Sequence, residues 1–370
     1  MKKIHSKFRI LMALLCLSSS AFAQDYIVVH GNNMEPRFHK VENYDHLDIQ
    51  NVFNHPLTQD GDTVYFPGVT FTLGDHYFLS KSLVLIGTGI HPDSALVAGA
   101  AVTTFTTPST SQRYFNINTG AENTEIHGIN FIGAAAIRLG NTAENGNVSG
   151  LKISRCRMYW LILRNNSTNT TVSQCVMYSF DNNDALNTLV TNSIIHEVSG
   201  GVQSTSVLNN FIIASTWASG GNIDALFENN IITLYSNNSN VNMNSQSRFY
   251  NNLWVRSSGQ TISFGPNVFV NQDNILSNNI EQVFTSPAPT NPLSTFLYTA
   301  DYSLNENSPF YDQYSTHATD GGEVGIYGGM FPWKDGILPF APHWLELTVP
   351  GNATQNGLTG ITIKGSAQND

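Results

Sequence analysis

Val190-Thr-Asn-Ser193-Ile-Ile, Val207-Leu-Asn-Asn210-Phe-Ile, Phe227-Glu-Asn-Asn230-Ile-Ile and Phe249-Tyr-Asn-Asn252-Leu-Trp are successive copies of one short phrase. Each runs from an apolar residue through two variable ones to a small or polar residue, then an apolar pair. Outward from these four, the phrase recurs upstream as Val172-Ser-Gln-Cys175-Val-Met and Ile153-Ser-Arg-Cys156-Arg-Met, and downstream as Leu276-Ser-Asn-Asn279-Ile-Glu. From Cys156 to Asn279 the steps are 19, 18, 17, 20, 22 and 27 residues, and Gly128-Ile129-Asn130-Phe131 is a looser copy with Ile129 lying 27 residues before Cys156. An irregular short period with β-branched runs and Asn-rich corners predicts a parallel β-solenoid, in which each coil stacks on the next at about 4.8 Å. Stacked apolar positions then make a continuous core. Stacked asparagines tolerate left-handed corners and hydrogen-bond along the stack. The three-and-four spacing of a helical repeat is missing, as is a regular leucine template. The expected fold class is all-β, a right-handed parallel β-helix.

The flanks set the expected boundaries. Lys2, Lys3, Lys7 and Arg9 precede an apolar run from Ile10 to Leu17, and Ala21-Phe22-Ala23 offers a cleavage site before Gln24. This is the pattern of a secretory signal over residues 1–23, with an apolar run too short to span a bilayer. Cys16 follows Leu15 rather than a small residue, which argues against lipidation. The β-helix is expected over residues 24–340. A C-terminal extension or cap is expected over 341–370, where Leu345, Leu347 and Val349, then Ile361 and Ile363, alternate as two strands around a turn region from Gly351 to Gly357. The expected location is outside the inner membrane: periplasmic, cell surface or extracellular.

The formal net charge is −10, and loss of the four basic residues of the signal takes it to −10 − 4 = −14. That balance excludes nucleic acid and anionic membrane surfaces as natural partners. After export only Cys156 and Cys175 remain. The fold therefore does not depend on a disulfide framework, and no Cys-x-x-Cys metal spacing exists. Both cysteines fall in one column of adjacent coils, as inward-facing small residues standing in for Asn.

Gly61-Asp-Thr-Val-Tyr-Phe-Pro-Gly68 and Lys81-Ser-Leu-Val-Leu-Ile-Gly-Thr-Gly89 resemble the opening coils of the pectate-lyase-like superfamily of right-handed β-helices. Tyr44 to Thr58 resembles the short helix that caps the N-terminal end in that superfamily. Asp301-Tyr-Ser-Leu304, Ser308-Pro309, Gly325-Ile-Tyr-Gly-Gly329 and Pro332-Trp333 resemble its closing segments. The resemblance covers roughly residues 26 to 335 and implies a scaffold, with a polysaccharide or cell-surface glycan as the expected partner of a monomer, rather than one reaction.

Chemistry on such a scaffold is sought by column across coils. Three positions past the Cys/Ser/Asn column stand Tyr159, Tyr178 and His196, and one position further Trp160, Ser179 and Glu197. Aromatic faces stack on pyranose rings, and His or Glu hydrogen-bonds hydroxyls or moves protons. Tyr159, Trp160, Tyr178, Asp181 and Glu197 are thus the candidate sugar-binding residues, and His196, Asp184 and Arg155 the candidate catalytic ones. The bland reading of the strip is ordinary outer-face packing. Arg155 and Arg157 flank Cys156, and an arginine beside a groove suits a uronate carboxylate, as a lyase requires; a structural ion pair is the alternative. Asp181 and Asp184 suit the acid and base of glycoside hydrolysis, or a calcium ion, or simply a turn. Asp224, in Asn222-Ile-Asp224, is a weaker acidic candidate that resembles the polygalacturonase Asn-Thr-Asp motif, whose companion motifs do not follow. No pectate-lyase calcium signature, Gly-rich phosphate loop, His-Glu-x-x-His or Gly-x-Ser-x-Gly is found. The sequence thus leaves open a polysaccharide-binding protein, a lyase or hydrolase, and a non-catalytic surface or adhesion solenoid.

Overall fold

The computed structural model describes residues 25–31, 34–91, 101–108, 112–140, 147–164, 166–200, 204–214, 225–234, 240–241, 247–256, 263–264, 269–277, 282–286, 300–334, 343–348 and 362–366. Residues 1–24, on which the export reading rests, lie outside these, as do Asp224 and Asn279.

Each coil supplies one short strand to each of two long sheets. In the first sheet, Thr63–Tyr65, Val84–Ile86, Glu125–His127, Lys152–Ser154, Thr171–Ser173, Thr188–Thr191, Thr205–Leu208, Ala225–Glu228, Arg248–Tyr250 and Phe269–Gln272 run parallel. In the second, Thr70–Thr72 leads through Thr104–Thr106, Asn130–Leu139, Arg157–Leu163, Val176–Asn182, Ile194–Gly200, Phe211–Ala214, Ile231–Leu234 and Leu253–Arg256 to Ile275–Ser277. The fold is a parallel β-solenoid. The period-two alternation sends Leu85, Ile126, Ile153, Val172, Val190, Val207, Phe227 and Phe249 inward from the first sheet. From the second, Phe71, Phe105, Phe131, Met158, Met177, Ile195, Ile212, Ile232 and Trp254 meet them in one continuous core. Phe227 and Phe249 stack at 4.8 Å, the spacing of the coils themselves.

At the chain's start, Tyr26–His30 pairs antiparallel with Arg37–Lys40 and with Thr63–Tyr65 at the edge of the first sheet. The expected helix forms at His46–Asn54, N-capped by the Asp45 side chain on the Leu47 amide. Its apolar face of Ile49, Val52 and Phe53 joins the core. Near the C terminus, His343–Thr348 and Thr362–Ser366 pair antiparallel, the two strands that the Leu345/Leu347 and Ile361/Ile363 alternation predicts.

The corner between the two sheets carries two columns with different jobs. The first is left-handed: Gly128 (φ 64°), Arg155 (53°), Gln174 (53°), Asn192 (48°), Asn209 (56°), Asn229 (57°), Asn251 (50°) and Asp273 (54°). Asparagine is favoured there because its short amide tolerates a backbone that costs other residues about 1–2 kcal/mol. The next column points inward. Asn210, Asn230, Asn252 and Asn274 form a buried amide ladder. The Oδ1 of Asn230 accepts from the Asn210 amide at 2.8 Å, that of Asn252 from Asn230 at 3.0 Å and that of Asn274 from Asn252 at 3.0 Å. Ser193 and Cys175 continue the column, the Cys175 amide donating to Ser193 Oγ at 3.0 Å. Cys156 and Cys175 are buried and unbridged. The last coil differs from the sequence alignment: Asn274, not Asn279, follows Asn252. Its Oδ1 caps the ladder, and Ile275–Ser277 pairs with Leu253–Val255. Ile280 after Asn279 imitates the phrase, but the amide ladder fixes the register five residues earlier.

Outside this corner runs residues 317–334, which clasp the left-handed column coil after coil. His317 bonds through its ring to the Asp273 carbonyl and through its own carbonyl to Asn251 Nδ2 (2.9 Å). Thr319 exchanges two bonds with the Asn229 side chain, both 3.0 Å. Asn192 Nδ2 donates to the Ile326 and Gly328 carbonyls, and Gln174 Nε2 to that of Pro332 at 2.8 Å. Gly325 (φ 88°) passes so near Ile231 that a Cβ there would lie 2.6 Å from its Cδ1. Beneath this strap lies a second apolar cluster, built from the outward column Val176, Ile194, Phe211, Ile231 and Leu253 and covered by Phe284, Tyr302, Leu304, Val324, Ile326 and Trp333.

Candidate functional site

Two places on the outer surface gather chemistry. The first is the strip anticipated on the second sheet. Tyr159 and Tyr178 stack at 4.8 Å with planes 2° apart, and Tyr178 and His196 at 4.7 Å and 11°. Backbone pairing skips these positions, passing from Met158↔Met177 to Trp160↔Ser179 and from Met177↔Ile195 to Ser179↔Glu197. The strands bend there, so Tyr159 and Trp160, although consecutive, are both half-buried rather than on opposite faces. Trp160 tilts 50° from Tyr159 at 5.0 Å. Both faces of Tyr178 are occupied by its neighbours, so the ladder turns ring edges and hydroxyls outward. The free-standing aromatic faces expected for pyranose stacking are therefore reduced, among these rings, to Trp160 and the ladder's ends.

His196 is 8% exposed, and neither ring nitrogen has a hydrogen-bond partner. Burial lowers its pKa from the ordinary histidine value. Beside it, burial and the Asp181 charge raise the pKa of Glu197. Burial also raises Asp181, against the hydrogen bond from Asn183 and the charge of Arg164. Asp181 pairs in register with Ser199, two residues past Glu197 on the adjacent strand, which puts the two backbones roughly 8 Å apart. Asp184 lies exposed in the following turn at φ 67°, a turn built around the buried Asn182.

The structure divides the remaining candidates. Arg155 is 4% exposed in the left-handed column, its Nε donating to Gln174 Oε1 at 2.7 Å, and it lines a different recess from the strip. Arg157 stands in the outward apolar column, in register with Asn130 and Val176, and is half-buried.

The second place was missed by the column search. On the outer face of the first sheet, His127 and Ser154 are paired across adjacent strands, as are Glu125 and Lys152. His127 Nδ1 lies 2.6 Å from Ser154 Oγ, and His127 Nε2 lies 3.2 Å from Glu125 Oε2. Lys152 Nζ donates to Glu125 Oε1 at 2.7 Å. Burial pushes the Glu125 carboxyl up, but the Lys152 and His127 hydrogen bonds and charges outweigh it and hold the pKa below the usual value. These side chains line a recess of about 450 Å3, closed on its other side by Met330, Phe331 and Pro332 of the strap. The signal was present in the sequence: counting two and four residues back from the Ile129/Cys156 column gives His127/Ser154 and Glu125/Lys152.

Among the described residues, no group of three or more His, Cys, Asp or Glu stands where it could hold a metal ion, and no helix is long and apolar enough to cross a membrane. The sequence matches no protein-family model and no curated protein.

Proposed function

We propose that this chain is an exported, monomeric right-handed β-helix that binds a polysaccharide or cell-surface glycan along the Tyr159–Tyr178–His196 strip. The observation that carries the reading is the imidazole of His196. A polar group that buried and unpaired costs about 1–3 kcal/mol, and a packing-only strip has no reason to retain it where phenylalanine would stack equally well. A sugar hydroxyl supplies the missing partner once the ring turns outward, since both nitrogens are shielded from solvent in the stacked position, while Trp160 offers a face and the tyrosines offer hydroxyls. Calcium bridging to an acidic glycan through Asp181 or Asp184 belongs to the same reading.

Processing of the glycan is a second reading, supported by Asp181 and Glu197. Two carboxyls with raised pKa on adjacent strands, near the aromatic strip, are what a hydrolytic acid and base pair would draw on. Arg155 serves the strap side, which takes weight from lyase chemistry.

The test is binding of the purified protein to a panel of acidic and neutral polysaccharides, with and without calcium, while following new reducing ends and unsaturated uronate absorbance. The reading expects retention on at least one glycan, weakened tenfold or more by Tyr178→Ala and by His196→Phe. Retention untouched by both variants, or silence across the panel, overturns it in favour of a non-catalytic structural or adhesion solenoid.

A further inference from the structure

We propose that Ser154, His127 and Glu125 form a serine-nucleophile site for short acyl esters in the recess beneath Phe331. It lies on the first sheet, away from the strip, and stands or falls independently of glycan binding.

The constellation requires a nucleophile within reach of a base and a third group that orients the base. All three contacts come from strand geometry. His127 and Ser154 are register partners on adjacent coils, and Glu125 precedes His127 by two residues on the same outward face. With the Nε2 proton donated to Glu125 Oε2 at 3.2 Å, Nδ1 is left as acceptor for the Ser154 hydroxyl at 2.6 Å. The ring is 4% exposed, so packing holds that orientation. Glu125 is fixed in turn by Lys152 at 2.7 Å.

The surroundings define the substrate. A recess of about 450 Å3 falls within the range of small-molecule sites. One wall is polar and carries the cations Lys152 and Arg155; the strap wall is apolar at Met330, Phe331 and Pro332, with Met330 and Phe331 exposed at the rim, and also carries Lys334. That combination takes a short apolar acyl chain against Phe331, with its carbonyl toward the cations. Ser154 Oγ attacks the carbonyl carbon as its proton passes to His127 Nδ1, and the oxyanion forms on the cationic side. Collapse breaks the ester C–O bond, His127 returns the proton to the departing alkoxide, and an acyl-Ser154 remains. Water, deprotonated by His127, attacks that acyl carbon. The acid leaves, and Ser154 Oγ regains its proton. The sum is ester plus water giving alcohol plus acid, with no co-reactant. Ser154 and His127 are the catalytic residues; Glu125 positions the ring.

The experiment uses the purified protein with p-nitrophenyl acetate and butyrate, and with a fluorophosphonate probe whose adduct is mapped by mass spectrometry. The expected result is hydrolysis that falls at least 100-fold in Ser154→Ala and His127→Gln, and at least tenfold in kcat at constant KM in Glu125→Gln. The probe should modify Ser154. Ser206→Ala, which changes an outward-facing serine of the same sheet outside the recess, should keep both rate and label. Unfolding curves matching the wild type show that each variant is folded. A label on another residue, no label at all, or a wild-type rate no higher than that of folded Ser154→Ala overturns the proposal.

Discussion

Asn192 is joined to a stretch of chain 134 residues downstream, its Nδ2 donating to the Ile326 carbonyl at 2.9 Å and to that of Gly328 at 2.6 Å. The same residue holds a left-handed corner at φ 48°. Two substitutions separate these roles. Asn192→Gly keeps the backbone conformation but takes the side-chain donor from the Gly328 carbonyl, while the Ile326 carbonyl keeps the Trp333 N–H at 2.7 Å; it should cost about 1–3 kcal/mol. Asn192→Ala adds corner strain of about 1–2 kcal/mol. Denaturant unfolding of the two variants checks the order, Ala below Gly below wild type.

The ladder residue Asn230 should be harder to replace. It accepts from Asn210 and donates to the Val207 carbonyl at 2.8 Å and to Asn252 Oδ1 at 2.9 Å. Asn230→Leu has a similar volume but takes the acceptor from the Asn210 amide and the donor from the Val207 carbonyl, Asn252 Oδ1 keeping only the Asn230 backbone N–H; a loss of about 2–4 kcal/mol is expected from several linked buried bonds. Thermal and denaturant unfolding measure it. A loss under 1 kcal/mol would mean that the ladder contributes little.

Cys156 and Cys175 should be silent in the native protein. Burial pushes the Cys156 thiol up to about 12 and raises Cys175 well above the ordinary value, so almost no thiolate exists at pH 8. Titration with a thiol-reactive dye should count none of the two before unfolding and both after it in denaturant.

The strip should mark the pH dependence of stability. Glu197 and Asp181 have folded pKa values above their unfolded ones, so the folded state binds more protons between the two. Stability from these groups is present at low pH and is lost as pH rises from the ordinary carboxylate range through the raised values. His196 works in the opposite direction: its folded pKa is lowered, so stability is lost as pH falls from about 6.5 through the folded value. Glu197→Gln should flatten the fall in stability as pH rises above the ordinary carboxylate range, and His196→Phe the fall as pH drops below about 6.5. Unfolding curves from pH 4 to 9 check both slopes.

The repeat phrase made the solenoid legible because a stacked core forces equivalent residues to recur, and the Cys/Ser/Asn column is the amide ladder itself. Its last coil was misplaced because Asn279 and Ile280 imitate the phrase, while the bonds that select Asn274 join residues 22 apart and leave no local mark. The ring ladder was visible as a column. Its bend was not, since nothing in Tyr159-Trp160 announces that pairing will skip a residue. Arg157 stands in one register column with Val176, Ile194 and Phe211, as the aligned phrases imply. Those three are apolar because Phe284 and Tyr302 cover them from outside, and no periodicity within the coils encodes that partner. The His127–Ser154 pair sits at a regular offset from the same column, and the offset, not the signal, was overlooked.

In an ordinary solenoid each coil touches only its neighbours, so an end can fray while the middle stays intact. The strap from His317 to Lys334 changes that by bonding coils from Asp273 back to Gln174 into a single cooperative block. During synthesis the consequence runs the other way. Val176, Ile194, Phe211, Ile231 and Leu253 are made well before Phe284, Tyr302 and Trp333, which cover them. The nascent solenoid therefore carries a bare apolar seam until the covering residues from Phe284 to Trp333 follow it. That interval is when this protein is most exposed to aggregation and most in need of a chaperone.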